Sequence, residues 1–423
     1  MGDHRQDTSR LPFAKPLDEA AIQAFSSSVR GQLIRSEDDG YDEARTVFYG
    51  GYDRRPELIV RVKDATDISR VIALARESGL ELAVKSGGHS VAGHSTIDGG
   101  IVLDLTEMKN LELDVEGRTA WAQTGLTAGE YTAAAGAHGL ATGFGDTGSV
   151  GIGGITLGGG VGYLVRKHGL TVDDLLAAEV VTADGELLRV DDESHPDLFW
   201  AIRGGGGNFG VATRFQFRLH EVDEIVGGML ILPATPEIIA AFVTEAEAAP
   251  EELSTIANVM TAPPMPFLPA EVQGQLVIMA MLVYAGEEVE AGQRAVAPFR
   301  ALAEPIVDML KPMPYPKIYP LEDDDFHPTA VARTMFIDSI DRDVSQTILE
   351  HLRASDAPMR VAQIRVLGGA MARVSAETTA FAHRSSRIMV NVAAFYEGTE
   401  DRAAREAWVS HFAAALRQGE GGA

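Results

Sequence analysis

The segment from Lys85 to Ser95, KSGGHSVAGHS, concentrates groups that could bind or react with a ligand. It places His89 and His94 among glycines and serines. Neutral imidazole is a common metal ligand and a possible nucleophile, and successive glycine N–H groups can hold a phosphate. The segment could therefore form a metal site, a phosphate site, a covalent attachment point, or a tight turn without chemistry.

A strand-helix-strand unit is predicted to position this segment. LIVRV and ELAVK have the composition of strands, and DATDISRVIALARESG between them has helical periodicity. Asp64 or Thr66 can cap this helix and Gly79 can end it. The histidine-containing loop then follows the second strand.

Two further glycine clusters follow, at 143–162 and 203–210. Thr127 and Glu130 predict a capping box for a helix that ends near His138. A hairpin that turns at Asp184 and Gly185 separates the two clusters. Ordered glycine costs backbone entropy, so this density indicates that backbone repeatedly passes close to another group or adopts positive φ.

Common fingerprints do not explain these clusters. GxGxxG occurs at 143–148 and 205–210, but neither match has the strand before it and the helix after it that a Rossmann site needs. The sequence contains no P-loop, no nucleophile elbow and no HExxH motif. The loop at 85–95 contains no carboxylate that would complete a metal site, so we expect no metal.

Composition limits the remaining possibilities. The chain has 423 residues, no cysteine and a formal net charge of -25. The absence of cysteine excludes disulfides, thiolate metal sites and cysteine nucleophiles, and the charge opposes binding to nucleic acid or anionic lipid. No run of apolar residues suits a membrane span, and the first twenty residues lack an apolar leader. These features predict a cytoplasmic protein of two domains.

The sequence pattern changes after about residue 225. Strand candidates GGMLILP, GQLVIMAMLVYAG, RVAQIRVLGG and RIMVNVAAFYEG alternate with helical segments such as 288–310 and 341–355. This pattern predicts a separate antiparallel sheet with helices on one side. The fold class is therefore α+β.

Three long segments together resemble a known family. VKSGGHSVAGHSTIDGGIVLDL, GDTGSVGIGGITLGGGVGYLVRKHGLTVDDLLAAEVVTADG and DLFWAIRGGGGNFGVATRFQF resemble, in order and spacing, the signatures of FAD-linked oxidases of the vanillyl-alcohol oxidase type. The similarity is greatest to the berberine-bridge-enzyme-like and 6-hydroxynicotine-oxidase-like branch, and it covers about residues 30–410. It implies a two-subdomain, PCMH-type FAD-binding domain over 1–225, with its core at about 50–222. A substrate domain over 226–380 and a partial C-terminal return segment over 381–423 would follow.

The resemblance also implies roles for individual residues. His89 corresponds to the histidine that links covalently to the flavin 8α position. The other cofactor-binding residues that the resemblance implies lie in all three glycine segments: Ser86, Gly87, Gly88, Ser90, Gly93, His94, Thr147, Gly148, Gly151, Gly153, Gly154 and Val211.

The sequence departs from the family in two places. Many members carry a second flavin-linking cysteine at the position of Thr147, so one covalent link is expected here. Family members also usually continue beyond the final RQGEGGA with further strand and helix segments. We expect that appending such a tail would raise the melting temperature and the flavin content.

The family resemblance implies an oxidase. A small alcohol, sugar, amine or phenolic compound would give hydride to flavin N5, and dioxygen would take up the electrons to form hydrogen peroxide. Candidate bases at strand ends are Tyr284, Tyr396 and Glu397. Two alternatives remain, a dehydrogenase that uses another acceptor and a catalytically silent flavin-binding protein.

Overall fold

A computed structural model of the protein describes residues 17–319, 326–398 and 400–418. Its first part contains a four-stranded sheet in the order β1-β2-β4-β3, in which β2, β3 and β4 are parallel. The elements of this part are α1 (Glu19–Ser28), β1 (Gln32–Ile34), α2 (Tyr41–Arg45), β2 (Leu58–Arg61), α3 (Ala65–Ser78), β3 (Leu82–Lys85) and β4 (Ile101–Asp104).

The predicted strand-helix-strand unit is confirmed in β2, α3 and β3. The Asp64 carboxylate accepts hydrogen bonds from the backbone N–H groups of Thr66 and Asp67, and Gly79 ends α3 in the left-handed conformation. The apolar face of α3 packs on the parallel strands. The loop that contains His89 therefore leaves the carboxyl end of a buried parallel sheet.

A five-stranded antiparallel sheet follows, in the order β5-β6-β10-β8-β9. Thr127 and Glu130 form the predicted capping box, and Gly185 is positive in φ at the predicted hairpin turn. The elements of this part are β5 (Leu111–Asp114), β6 (Thr119–Gln123), α4 (Ala128–Gly136), β7 (Leu140–Ala141), α5 (Ile152–Leu157), α6 (Val165–His168), a 3₁₀ turn (Thr171–Asp173), β8 (Leu175–Val181), β9 (Leu187–Val190), α7 (Pro196–Ile202), β10 (Val211–Arg218) and β11 (His220–Glu221).

The third part is an eight-stranded antiparallel sheet in the order β15-β12-β14-β13-β18-β19-β17, with β16 also paired to β12. Its elements are β12 (Glu224–Pro233), α8 (Pro236–Ala248), β13 (Leu253–Thr261), β14 (Leu276–Tyr284), α9 (Val289–Arg300), β15 (Val307–Asp308), β16 (Lys311–Pro314), a 3₁₀ turn (Tyr315–Ile318), β17 (Thr329–Ile337), α10 (Arg342–Ala354), β18 (Met359–Val366), α11 (Ala370–Arg373), β19 (Ile388–Tyr396) and α12 (Arg402–Ala415).

The large sheet confirms the predicted α+β class, because helices cover one of its faces. Alternate residues of its strands pack with α8, α9, α10 and α12 in the largest apolar core of the molecule. The prediction of helix over 288–310 was wrong in its second half, since α9 ends at Arg300 and β15 follows. Pro305 lies between the two elements, and proline supplies no N–H to continue a helix.

The opposite face of the large sheet is turned toward the first two sheets. Arg365 on β18 donates from Nη1 to the Val161 carbonyl at 2.7 Å. The chain segment at 381–396, placed by the sequence in a C-terminal return segment, includes β19, which pairs with β18 and with the edge strand β17 of this sheet. Among the described helices, none is long and apolar enough to cross a membrane.

Candidate functional site

The three glycine-rich segments meet around one cavity of about 600 Å³. This volume is within the range of about 300–1,000 Å³ that is typical of small-molecule and cofactor sites. Eleven of the residues that the family resemblance implied for the cofactor lie in its wall: Ser86, Gly87, Gly88, His89, Ser90, His94, Thr147, Gly151, Gly153, Gly154 and Val211.

The first two loops of the cavity are in close backbone contact. A Cβ atom on Gly87 would lie 2.2 Å from the Gly151 nitrogen, and one on Gly151 would lie 2.2 Å from the Gly87 nitrogen. Side chains are therefore excluded at both positions. Ser86 joins the first loop to the end of β6 instead, since its Oγ donates to the Thr124 carbonyl at 2.6 Å. Gly154 differs, because a Cβ there would meet no atom within 4 Å.

His89 has a defined orientation at the edge of the cavity. Its ring stacks on Phe48 with centroids 4.0 Å apart and planes inclined by 18°. Its Nε2 lies 2.9 Å from the Oγ of Ser149, within the second glycine segment. These contacts hold one face and one nitrogen of the ring, whereas His94 has an exposed side chain.

Lys85 holds the Phe48 segment against the histidine loop. Its Nζ donates to the carbonyls of Ala44 and Thr46, at 2.9 Å in both cases. Burial lowers the pKa of Lys85 from the ordinary lysine value. The residue that precedes the SGGHS loop therefore positions the aromatic ring against which His89 stacks.

Two of the implied cofactor residues lie outside the cavity wall. Gly93 has φ +71, and a Cβ there would lie 2.5 Å from the ring of Tyr52, so glycine is required for the turn itself. The Gly148 carbonyl accepts a hydrogen bond from Gly129 N at 2.8 Å, which joins the second glycine segment to α4. Both residues therefore shape the loops next to the cavity and do not line it.

The three candidate bases also lie away from the cavity wall. Tyr284 and Tyr396 are buried in the core of the large sheet, beneath its helices. Glu397 is exposed just after β19. Strand-end position was the only signal that selected them, and these strand ends do not face the cavity.

Sequence reasoning missed the acidic group in the cavity wall. Asp146 lines the cavity beside Thr147, and its Oδ2 accepts from Arg365 Nη2 of β18 at 2.7 Å. Nη2 of Arg365 also donates to Gln363 Oε1 at 2.8 Å, and Gln363 donates to Asn258 Oδ1 at 3.0 Å. A polar chain thus runs from the large sheet to the glycine loop. Its only sequence signal was an aspartate inside the first GxGxxG match.

Tyr49 is the second cavity residue that the sequence did not reveal. It precedes two glycines and lines the cavity next to Phe48. Burial and the negative charge of Asp146 raise the pKa of Tyr49, so its phenol stays protonated at neutral pH. The cavity wall therefore contains a carboxylate and a phenolic donor that are electrostatically coupled.

The groups that line the cavity are suited to bind a flavin dinucleotide. The close-packed glycine loops expose backbone to the interior, Gly154 leaves its own side of the wall open, and a serine-rich loop supplies donors. No lysine or arginine belongs to the described part of this wall, so a bound pyrophosphate would depend on backbone and hydroxyl groups.

Comparison with known proteins shows which proteins this chain resembles. A model described as an FAD binding domain matches residues 56–191. The (R)-6-hydroxynicotine oxidase of Paenarthrobacter nicotinovorans is 38% identical over 213 residues, which are 50% of this chain and 46% of that protein. An FAD-linked oxidoreductase of Dictyostelium discoideum is 29% identical over 399 residues, 92% of this chain and 84% of that protein.

A solved structure agrees with these relatives. The crystal structure of 6-hydroxy-D-nicotine oxidase from Arthrobacter nicotinovorans superposes with a TM-score of 0.80 at 25% identity, and covers 92% of this chain and 86% of that one. The chain therefore contains an FAD-binding domain and is similar over most of its length to FAD-linked oxidoreductases, in agreement with the resemblance seen in the sequence. The sequence alignment with the nicotine oxidase spans just under half of that relative's length, so similarity alone does not transfer its activity or substrate.

Proposed function

We propose that this protein is an FAD-dependent oxidase in which His89 carries the flavin through a single covalent bond. The observation that supports this most is the cavity enclosed by the three glycine segments, with an oriented imidazole in its wall. Thr147 lies in the same wall and has no thiol, so a second link is not expected. Bound FAD would supply a two-electron acceptor for substrate oxidation, and in the reduced form it would pass electrons to dioxygen to give hydrogen peroxide.

The residues of the chain would divide the remaining work. The glycine segments and Ser86 bind and orient the cofactor, and the stacked Phe48 with Ser149 fixes the His89 ring. The face of the large sheet that carries Gln363 and Arg365 supports the second glycine segment from outside, through the Arg365 bonds to the Val161 carbonyl and to Asp146. Oxidation of an alcohol or amine also releases a proton, which needs an acceptor in this cavity.

Asp146 is our candidate for that proton acceptor, and Tyr49 is the candidate donor that orients the substrate. Both line the cavity, whereas Tyr284, Tyr396 and Glu397 do not. The Arg365 guanidinium fixes one carboxylate oxygen of Asp146. The raised pKa of Tyr49 keeps its proton available for a hydrogen bond to a substrate oxygen or nitrogen.

The charges in the wall favour an uncharged substrate. Arg365, which lies outside the wall, compensates Asp146, and the described wall contains no lysine or arginine and no second carboxylate. A carboxylate or phosphate on the substrate would therefore find no compensating charge. Neutral alcohols, sugars, phenols and deprotonated amines remain.

Anaerobic titration of the purified protein tests this proposal. We expect one class in a panel of neutral alcohols, oligosaccharides, phenols and amines to bleach the flavin absorbance, and air to restore it with formation of peroxide. Recovery only with an artificial acceptor would identify a dehydrogenase. No bleaching by any compound would identify a flavin-binding protein without this activity.

Variants then assign the proton acceptor. Asp146→Asn should slow flavin reduction at saturating substrate by about 10²–10⁴-fold while flavin content is retained. Tyr284→Phe is the matched control, because this tyrosine lies in the sheet core, and its reduction rate should match that of the unmodified protein. A loss confined to Tyr284→Phe would place the acceptor on the large sheet instead.

A further inference from the structure

A second cavity of about 600 Å³ lies away from the glycine loops. It is formed where the β5–β6 turn, the end of α6 and the β10–β11 segment meet the turn that follows β14. Its wall contains three permanent cations, Arg118, Lys167 and Arg218, and two carboxylates, Glu221 and Glu287. A cationic wall stands out in a chain with a formal net charge of -25.

The cations of this wall are unequally compensated. Arg118 Nη2 pairs with Glu221 Oε1 at 2.5 Å. Among the described residues, neither Arg218 nor Lys167 has a carboxylate within ion-pair distance. Within the part of the chain that the structure describes, Lys167 Nζ donates to one group, the Ala285 carbonyl, at 2.5 Å, and an ammonium has three protons to donate.

The acid nearest to Arg218 along the backbone is already engaged. Arg218 N donates to the Asp174 carbonyl at 2.8 Å, but the buried Asp174 carboxylate lies 2.6 Å from His220 Nε2. His220 in turn stacks on His168, with ring centroids 3.8 Å apart. Asp174 therefore makes its close contact with His220, whereas the Arg218 side chain is exposed and lines the cavity.

The remaining wall suits an organic body rather than a bare ion. Leu176 and the buried Leu219 contribute apolar surface, and the Thr119 hydroxyl adds a further donor. The volume is far larger than one oxyanion needs and falls within the range of small-molecule sites. Guanidinium is the side chain best matched to the paired oxygens of carboxylate and phosphate.

We propose that this second cavity binds a small organic anion that carries a carboxylate or phosphate group, held by Arg218, Lys167 and Thr119. The site lies where α6 meets the large sheet, because Lys167 belongs to α6 whereas Ala285 and Glu287 belong to the turn after β14. This inference is independent of the substrate oxidised in the first cavity.

Thermal unfolding of the flavin-loaded protein tests the proposal, since bound flavin keeps phosphate out of the glycine loops. Inorganic phosphate and citrate are the two probes, and sodium chloride at equal ionic strength is the control. We expect a saturable rise in melting temperature with at least one probe, and calorimetry should give its Kd. Preference for phosphate or for citrate identifies which oxyanion group is recognised.

Arg218→Gln should raise the Kd for the bound anion by about tenfold or more, because a charged hydrogen-bond donor is lost. Arg353→Gln on α10 removes the same charge from an exposed site elsewhere and should leave the Kd unchanged. Thr119→Val and Lys167→Gln provide independent tests if Arg218→Gln folds poorly. A Kd that changes as much in Arg353→Gln as in Arg218→Gln would overturn the proposal. So would a rise in melting temperature that sodium chloride reproduces.

Discussion

His89 lies between Phe48 and Ser149, whereas the His94 side chain is exposed at the edge of the same cavity. A covalent bond to a planar cofactor needs a ring held in one orientation near its target. Stacking restricts the tilt of the His89 ring, and the contact at Nε2 restricts its rotation. The environment, and not the residue type, separates the two histidines.

Replacement of each histidine tests this assignment. His89→Ala should release flavin from the denatured protein, while His94→Ala should keep it bound. Fluorescence of denatured samples on a gel and intact mass, raised by one FAD when the bond is present, are the measurements. Flavin retained in His89→Ala but lost in His94→Ala would move the attachment to His94, and flavin lost from the unmodified protein would exclude covalent attachment.

Ser149→Ala tests whether orientation matters beyond the presence of the imidazole. The variant loses the contact at His89 Nε2 but keeps the Phe48 stack. We expect slower formation of the covalent bond, with flavin still bound without it, measured as the covalent fraction over time after FAD is added to flavin-free protein. Ser27→Ala, at an exposed site on α1, is the control. Equal time courses would show that the serine does not position the ring.

The buried His168 makes the stability of the protein depend on pH. Burial, with the neighbouring His220 and Lys167, lowers the pKa of His168 to about 3. In the unfolded chain the pKa of a histidine is about 6.5. Between pH 6.5 and pH 3 the unfolded state therefore binds more protons than the folded state. The free energy of unfolding consequently falls as the pH decreases below about 6.5. Allowing for partial exposure, the cost is about 1 kcal/mol near pH 5.

His168→Phe keeps the stacked ring and removes the titration, so its free energy of unfolding should fall less between neutral pH and about pH 5. Urea unfolding at several pH values measures the difference. The raised pKa of Asp174, caused by burial, opposes the trend but is present in both proteins and so does not affect the comparison. His138→Phe, at an exposed site, should retain the acid sensitivity. Identical pH profiles for His168→Phe and the unmodified protein would contradict the assignment.

Local patterns predicted the elements whose signals lie in neighbouring residues, including α3 with its Asp64 cap and α4 with its capping box. They did not predict β13 and β17, which carry Asn258 and Thr334 on the face turned away from the helices. Polar residues on that face interrupt the hydrophobic pattern of β13, a central strand, and of β17, which lies at the edge of the sheet. The pairing of Asp146 with Arg365 spans 219 positions, so no sequence window contains it.

Gly87 and Gly154 differ in the space around them, since a side chain at Gly87 would meet backbone and one at Gly154 would not. Alanine should therefore have different effects at the two positions. Gly87→Ala would force two backbones apart and should destabilise the fold by about 1–3 kcal/mol. Gly154→Ala lies in α5 and meets no protein atom, so the fold should be unaffected or slightly more stable, while its methyl group at the cavity wall lowers flavin content.

Melting temperature and the ratio of flavin to protein absorbance separate the two effects. Gly87→Ala should lower the first quantity, and Gly154→Ala only the second. Full flavin content in Gly154→Ala would show that the cofactor does not contact this wall. A Gly87→Ala protein as stable as the unmodified one would show that the two loops can separate without cost.

At the scale of the whole molecule, buried ion pairs connect the large sheet to the flavin-binding part. Arg384, in the segment before β19, makes two 2.7 Å hydrogen bonds to the Asp173 carboxylate in the 3₁₀ turn beside the glycine segment. Their side chains are 3% and 9% exposed, and Arg384 also donates to Thr379 Oγ1 at 2.7 Å. The two partners are 211 positions apart in sequence, so the pair orders the molecule over a long distance.

Loss of one partner would leave a buried charge without compensation. Arg384→Met should therefore lower the free energy of unfolding by about 3–5 kcal/mol. Arg342→Met is the control, because its pair with Glu237 is exposed at 69% and 57% and should contribute less than about 1 kcal/mol. Adding Asp173→Asn to Arg384→Met should restore part of the loss by removing the orphan charge. Urea unfolding followed by flavin fluorescence and far-UV circular dichroism measures all four proteins. An Arg384→Met loss as small as that of Arg342→Met would show that the two parts are held together by other contacts, of which Arg365 with Asp146 is then the first to test.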